Sequence, residues 1–255
     1  MQKLLSHVRR AVDEYGMICE GDKIAVGVSG GKDSLTMLLA LAKLRLFYPK
    51  KYEICAITLD MGFDGVDFSP IQRFCDELQI NYVLKKTDLK QIIFDIRQEK
   101  SPCALCAKMR RGALHDAALE QGCNKVALGH HHDDVIETFF LSLIYEGRVN
   151  CFSPVTYLDR KNIHLIRPLI YTTEADVRGA VRKMNIPVVH NPCPANGNTK
   201  RQEIKDMLTN MSKTDKELKK RLFTAIQNSG VAGWGDRIMI GRKRVESDMD
   251  IGESH

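Results

Sequence analysis

The chain has 255 residues, 44% hydrophobic and 27% charged, with 38 Lys and Arg against 32 Asp and Glu for a formal net charge of +6. That is ordinary for a soluble globular protein of one large α/β domain or one domain with a modest appendage, and the charge is compatible with a nucleic-acid partner without being diagnostic of one. The longest apolar stretch, around residues 35–44, is too short to cross a bilayer and contains Lys43, which argues against a membrane partner. The first ten residues mix charges with apolar positions as an amphipathic helix does, unlike a signal peptide, so a cytoplasmic protein is expected. In such a reducing compartment the eight cysteines are poor evidence for disulfides and fair evidence for free thiols, a metal or redox chemistry.

Strand-like and helix-like segments then alternate. Residues 23–28 read as a short buried strand, and an apolar helical run begins at Leu35. Residues 52–60 form a second strand; residues 69–78 a helix with Ser69 as its N-cap and Pro70 in its first position; residues 81–87 a third strand. A helix over 104–121, a strand over 125–130 and a helix over 134–145 follow. From about Leu165 the register changes, and Thr173 with Asp176 three residues on predicts a capped helix over 174–184. Residues 200–228 read as one or two basic helices, and the stretch from Ser247 is acidic, polar and loose. The alternation predicts an α/β fold with a parallel sheet between two helical layers and a small helical C-terminal region. The expected division is a catalytic unit over 1–206 and a basic helical extension over 207–255. Ligands of such sheets bind at the carboxyl ends of strands near a topological switch point.

Between the first strand and the first long helix lies Ser29-Gly30-Gly31-Lys32-Asp33-Ser34. Two glycines allow a tight turn and close approach of an anion, the helix start offers free N–H groups, Lys32 adds a positive charge, and the serines add hydroxyls. Two better-known phosphate loops do not fit. A Walker A loop requires glycine where Val26 stands and Ser or Thr where Asp33 stands, and a dinucleotide fingerprint requires glycine at Ser29. The stretch resembles the SGGxDS signature of the PP-loop ATP pyrophosphatases. That resemblance implies that ATP is gripped by its β- and γ-phosphates and an acceptor is activated as an AMP adduct.

Cys103-Ala104-Leu105-Cys106 is a C-x-x-C, and the best third thiol is Cys193, bracketed by Pro192 and Pro194. Cys19, Cys55, Cys75, Cys123 and Cys151 stand singly and read as small core hydrophobes. A zinc site completed by His190 and a [4Fe–4S] cluster with one open iron both satisfy this spacing. Arg110, four residues after Cys106, shares its helix face and is either a phosphate contact or a solvated charge. The His130-His131-His132 run cannot converge on one ion if extended, and a strand end turning into a capped helix is the simpler reading. The 200–221 stretch mixes signs as a solvated helix face does, while Arg242-Lys243-Arg244 is denser; either is a solvated surface or a hold for a tRNA backbone, whose phosphates need only charge and reach.

Together, the SGGKDS loop, the Cys103/Cys106 pair followed by Lys108-Met109-Arg110-Arg111-Gly112, the Leu128–Asp134 stretch, and Arg167-Pro168-Leu169 leading to Cys193 resemble the tRNA 2-thiocytidine synthetase group of PP-loop enzymes over roughly residues 1–206. The resemblance implies ATP binding by Ser29, Gly30, Gly31, Lys32, Asp33, Ser34, Arg110 and Gly129. It also implies catalytic roles for Lys32, Asp33 and Asp134, with Asp134 assisting Mg²⁺ or the reacting groups. Cys103, Cys106 and Cys193 would hold a [4Fe–4S] cluster whose open iron carries the transferred sulfur. The implied partners are tRNA and a sulfur donor, either sulfide or a cysteine-desulfurase product, with the enzyme a homodimer. One departure is that the family's later motif often carries a second cysteine, whereas Ala195-Asn196 follows Pro194 here. Two alternatives keep the loop: sulfur transfer to a tRNA uridine or a small molecule, and a zinc-stabilised tRNA-binding protein with a regulatory nucleotide site.

Overall fold

The computed structural model describes residues 1–97, 102–189 and 200–235, without the Cys103 side chain. Among these residues, six strands form one sheet in the order β3-β2-β1-β4-β6-β5. They are β1 (Asp22–Gly27), β2 (Tyr52–Asp60), β3 (Asn81–Lys86), β4 (Lys125–Ala127), β5 (Val155–Leu158) and β6 (Ile163–Ile166). All pairs are parallel except β5 with β6. The helices are α1 (Gln2–Glu14), α2 (Lys32–Leu44), α3 (Ser69–Glu77), α4 (Pro102–Glu120), α5 (His132–Tyr145), α6 (Glu174–Met184), α7 (Lys200–Thr214) and α8 (Leu218–Asn228).

Side-chain alternation along the strands sorts the core into two layers. Ile24 and Val26 of β1, with Ile54 and Ala56 of β2, face a large cluster that includes Leu35 and Leu38 of α2, Val8 of α1 and Phe223 of α8. Ala25, Cys55, Ile57 and Val126 face the other way, onto Leu114, Ala117 and Ala118 of α4. The result is the expected three-layer α/β fold. No described helix is long and apolar enough to cross a membrane.

Three local expectations are corrected. Ser69 is the first residue of α3 rather than its cap: Asp67 accepts from the Ser69 backbone N–H at 2.8 Å and from its hydroxyl at 2.9 Å. A carboxylate is the stronger acceptor, so it displaces the hydroxyl from that role. β4 stops at Ala127, three residues early, because Leu128–His130 leave the strand to cross the start of α2. The β5–β6 hairpin escapes the pattern altogether: each strand has only four residues, and the turn closes through Asn162 at a φ of +49°.

β1 feeds α2 and then β2 on one side, whereas β4 lies on its other side. The switch point therefore falls between the carboxyl ends of β1 and β4. α4 connects β3 to β4, two strands that run in the same direction, so it runs against them. Its amino-terminal end, with Cys103 and Cys106, projects beyond that same edge of the sheet, since Leu114, further along the helix, packs beside Gly27 at the end of β1.

Candidate active site

The loop after β1 is braced from within. Ser34 Oγ donates to the Gly31 carbonyl at 3.0 Å and accepts from the Ser29 N–H at 3.1 Å, while Ser29 Oγ sits 3.2 Å from Ser34 Oγ. Gly30 adopts a φ of +81°, in the left-handed region that glycine enters without strain. α2 begins at Lys32 with no side chain capping it, so the amides of its first turn have no acceptor within the helix. These donors and the positive end of the helix dipole together form an anion site.

The second wall is the chain after β4. A Cβ on Gly129 would stand 3.1 Å from Asp33 C and Ser34 N and 3.2 Å from Ser34 Cα, so glycine makes this contact between backbones without the crowding a side chain would bring. The neighbouring His130 ring lies 4.8 Å from the Phe152 ring. Burial, reinforced by Arg167, lowers its pKa to about 4, so it is neutral at ordinary pH. His131 caps α5: its Nδ1 accepts from the Asp134 N–H at 3.3 Å, and Asp134 Oδ2 accepts from the His131 N–H at 2.9 Å. The histidine run is thus a capped helix start, and His131 also presents Nε2 to Asp33 Oδ1 at 3.6 Å.

Lys32 Nζ lies 2.9 Å from Asp33 Oδ2 and 3.4 Å from Glu174 Oε1. Burial disfavours its charge, but Asp33 and Glu174 outweigh burial and raise its pKa, so the ammonium is retained. Asp33 Oδ1 is buried and makes no hydrogen bond. Among the described residues no three His, Cys, Asp or Glu side chains converge as a metal site. A hard cation here would take its remaining ligands from phosphate oxygens, as Mg²⁺ commonly does.

The sequence did not reveal the charges that surround this core. Lys205 of α7 reaches Glu174 at 2.9 Å, Lys219 of α8 reaches Asp133 at 2.7 Å, and Arg201 lies 3.2 Å from Asp134 and 3.6 Å from Glu137. Burial pushes the Asp133 carboxyl up, but His132, Lys219 and the Glu174 amide outweigh it and hold it well below the usual range. Burial raises Glu137 to about 7, with Asp134 adding to the effect and Arg201 opposing it. Arg201, Lys205 and Lys219 are therefore only partly solvated and are engaged in ion pairs. They neutralise carboxylates between 31 and 86 residues away in sequence, and no local pattern encodes such partners.

The remaining candidates are distributed as follows. Arg110 is half-buried on α4 and forms no ion pair with another described residue. Cys103 and Cys106 sit three residues apart in the first turn of α4, Cys106 partly buried. Cys193, His190 and Arg242-Lys243-Arg244 lie outside the described residues. Val189, where the chain leaves the described structure toward Cys193, donates its N–H to the Gly30 carbonyl at 2.9 Å.

The chain matches the PP-loop domain family over residues 4–212. It is 38% identical over 229 residues to a tRNA-cytidine(32) 2-sulfurtransferase of Citrifermentans bemidjiense, covering 89% of this chain and 90% of that one. It is 36% identical over 259 residues to the protein of the same name from Dechloromonas aromatica, covering 99% and 90%. Among solved structures it resembles the U34-tRNA thiolase NcsA from Methanococcus maripaludis with its [4Fe-4S] cluster, with a TM-score of 0.74, 25% identity, and coverage of 89% of this chain and 78% of that one. With its uncapped helix start at the switch point and a matching sequence over most of its length, the chain belongs to the PP-loop domain family, in the group of the tRNA-cytidine(32) 2-sulfurtransferases.

Proposed function

We propose that this chain is an ATP-dependent tRNA thiolase that adenylates O2 of a cytidine and replaces that oxygen with sulfur. The observation that carries this reading is the uncapped start of α2 at the switch point, toward the same end of the sheet as the cysteine-bearing end of α4. The first-turn amides of α2 and Lys32 bind the β- and γ-phosphates of ATP, and Gly129 keeps the opposite wall free of side chains. Cytidine O2 attacks the α-phosphorus, the bond to the bridging oxygen breaks, and pyrophosphate departs with its charge stabilised by the same donors. A C2–S bond then forms at the activated carbon as the C2–O bond to AMP breaks.

The donor sets fit the groups this chemistry uses. Asp33 Oδ1, buried and without a hydrogen bond, with His131 Nε2 3.6 Å away, suits Mg²⁺ shared with phosphate oxygens. Thiolates three residues apart on a helix suit an iron–sulfur cluster, so Cys103 and Cys106, completed by Cys193, would hold a [4Fe–4S] cluster that supplies an iron able to present sulfide. Asp134 holds the His131 cap in register and Arg110 contributes a positive wall. The reading includes a cytoplasmic homodimer supplied by sulfide or by a cysteine-desulfurase product.

Mass spectrometry of tRNA nucleosides from cells with and without the gene tests the substrate. Loss of 2-thiocytidine is expected; unchanged 2-thiocytidine refutes it, and loss of a 2-thiouridine instead would support the alternative that the likeness to a U34 thiolase raises. Purification without oxygen tests the cluster: about four irons per chain are expected, lost on Cys193→Ala, whereas stoichiometric zinc without iron would exclude it.

A further inference from the structure

Glu174 is the first residue of α6 and is 6% exposed. One oxygen of its carboxylate, Oε1, meets three cations: Lys205 Nζ at 2.9 Å, Lys32 Nζ at 3.4 Å and Arg178 at 3.4 Å. Its backbone is fixed independently. The Glu174 N–H donates to Asp133 Oδ2 at 2.8 Å, Asp133 Oδ1 is held by Lys219 at 2.7 Å, and Thr173 caps the helix by accepting from the Asp176 N–H at 3.2 Å. The carboxylate therefore has little freedom to follow a moving partner. Of its three cations only Lys32 belongs to the phosphate loop, and the Arg178 side chain is 57% exposed and screened by solvent.

We propose that Glu174 is a positioning residue that parks Lys32 at the mouth of the phosphate loop, and that Lys205 sets how strongly it does so by sharing the same carboxylate oxygen. The proposal rests on the reading of the loop as an ATP site. An incoming phosphate must draw Lys32 away from Glu174 and Asp33. When pyrophosphate leaves, the fixed carboxylate recovers the ammonium and resets the loop. Charge on α7, far away in sequence, thereby tunes nucleotide affinity.

Opposed directions of effect separate this from a merely structural role. Glu174→Gln keeps the shape and removes the competing charge, so ATP–Mg²⁺ binds about threefold to fivefold more tightly, while kcat for tRNA thiolation falls because the carboxylate that recovers Lys32 from departing pyrophosphate is gone. Lys205→Met leaves Glu174 to Lys32 and the solvent-screened Arg178, so ATP–Mg²⁺ binds about threefold to fivefold more weakly. In the Glu174→Gln background, Lys205→Met loses its effect, because the residue acts through the carboxylate. The measurements are ATP–Mg²⁺ titration calorimetry on the full chain without tRNA, the KM and kcat of thiolation, and a thermal melt of each variant. Weakening by both substitutions, or additivity in the double variant, overturns the proposal. A wild-type chain that binds ATP yet thiolates no cytidine defeats the assigned substrate and leaves the affinity pattern to decide this inference. A wild-type chain that binds no ATP overturns both.

Discussion

Gly129→Ala is the sharpest test of how the phosphate loop is built. The added methyl would stand 3.1 Å from Asp33 C and Ser34 N, inside the 3.4 Å at which ordinary contact begins, and both atoms are backbone at the start of α2. No rotamer relieves the clash, so the loop or the chain after β4 must yield by a few tenths of an ångström. Overpacking of this kind costs about 1–3 kcal/mol, and each kcal/mol lowers the melting temperature of a domain this size by about 2–4 °C. The displaced atoms belong to the turn whose amides are proposed to meet phosphate. Forfeiting about 1.4 kcal/mol from those charge-assisted bonds weakens ATP about tenfold. Gly112→Ala is the control, since its Cβ would meet nothing within 4 Å and it lies inside α4. There alanine stabilises by about 0.5–1 kcal/mol. The assays are thermal melts and ATP calorimetry on both variants. If Gly129→Ala melts and binds like wild type, or Gly112→Ala loses as much, the account of the loop wall is wrong.

Gly30→Ala combines an unfavourable φ of +81° with a Cβ 3.1 Å from that of Val189; a stability loss of about 1–2 kcal/mol in denaturant titration is expected. Lys219→Met strands the buried Asp133 carboxylate and costs about 3 kcal/mol at pH 7. Because the folded-state pKa of Asp133 is depressed, that stability is present above the unfolded value of about 4 and is lost as pH falls below it; the gap to wild type should therefore narrow in acid denaturation. Glu137 has the opposite sign. With a folded-state pKa of about 7 it costs stability as pH rises from its unfolded value of about 4.3 through 7, so Glu137→Gln should gain on wild type across that interval. Thr173→Ala removes the α6 cap and should cost about 1 kcal/mol, read from the melt.

The features legible in the sequence are those that short spacing encodes. Ser29 to Ser34 announced strand, loop and helix in one stretch, and Thr173 with Asp176 announced the start of α6 to the residue. β2 was legible from end to end because it is long and apolar on both faces. What escaped depends on contacts between distant segments. The four-residue strands β5 and β6 are each too short to show a period, and only pairing with β4 through β6 makes them part of the sheet. Glu174 looked like an ordinary first-turn acid; its burial and three cations come from α2, α6 and α7 meeting in space. The lysines and arginines of 200–221 looked alike in sequence. Lys220 and Arg221 do pair locally with Glu217 and Asp215, while Arg201, Lys205 and Lys219 turn inward. Helical phase distinguishes the two sets only once the facing acids of α5 and α6 are known.

The hydrogen bond from Val189 to Gly30 makes the phosphate loop one end of a mechanical linkage. A loop that rearranges around a departing leaving group either carries Val189 with it or gives up that bond, worth about 1 kcal/mol. A shift of the loop would therefore be felt at Val189, the last described residue before Cys193 in the sequence. The loop after β1 and the chain at Val189 are thus joined by one backbone amide, with no side chain committed to it and none for substitution to remove.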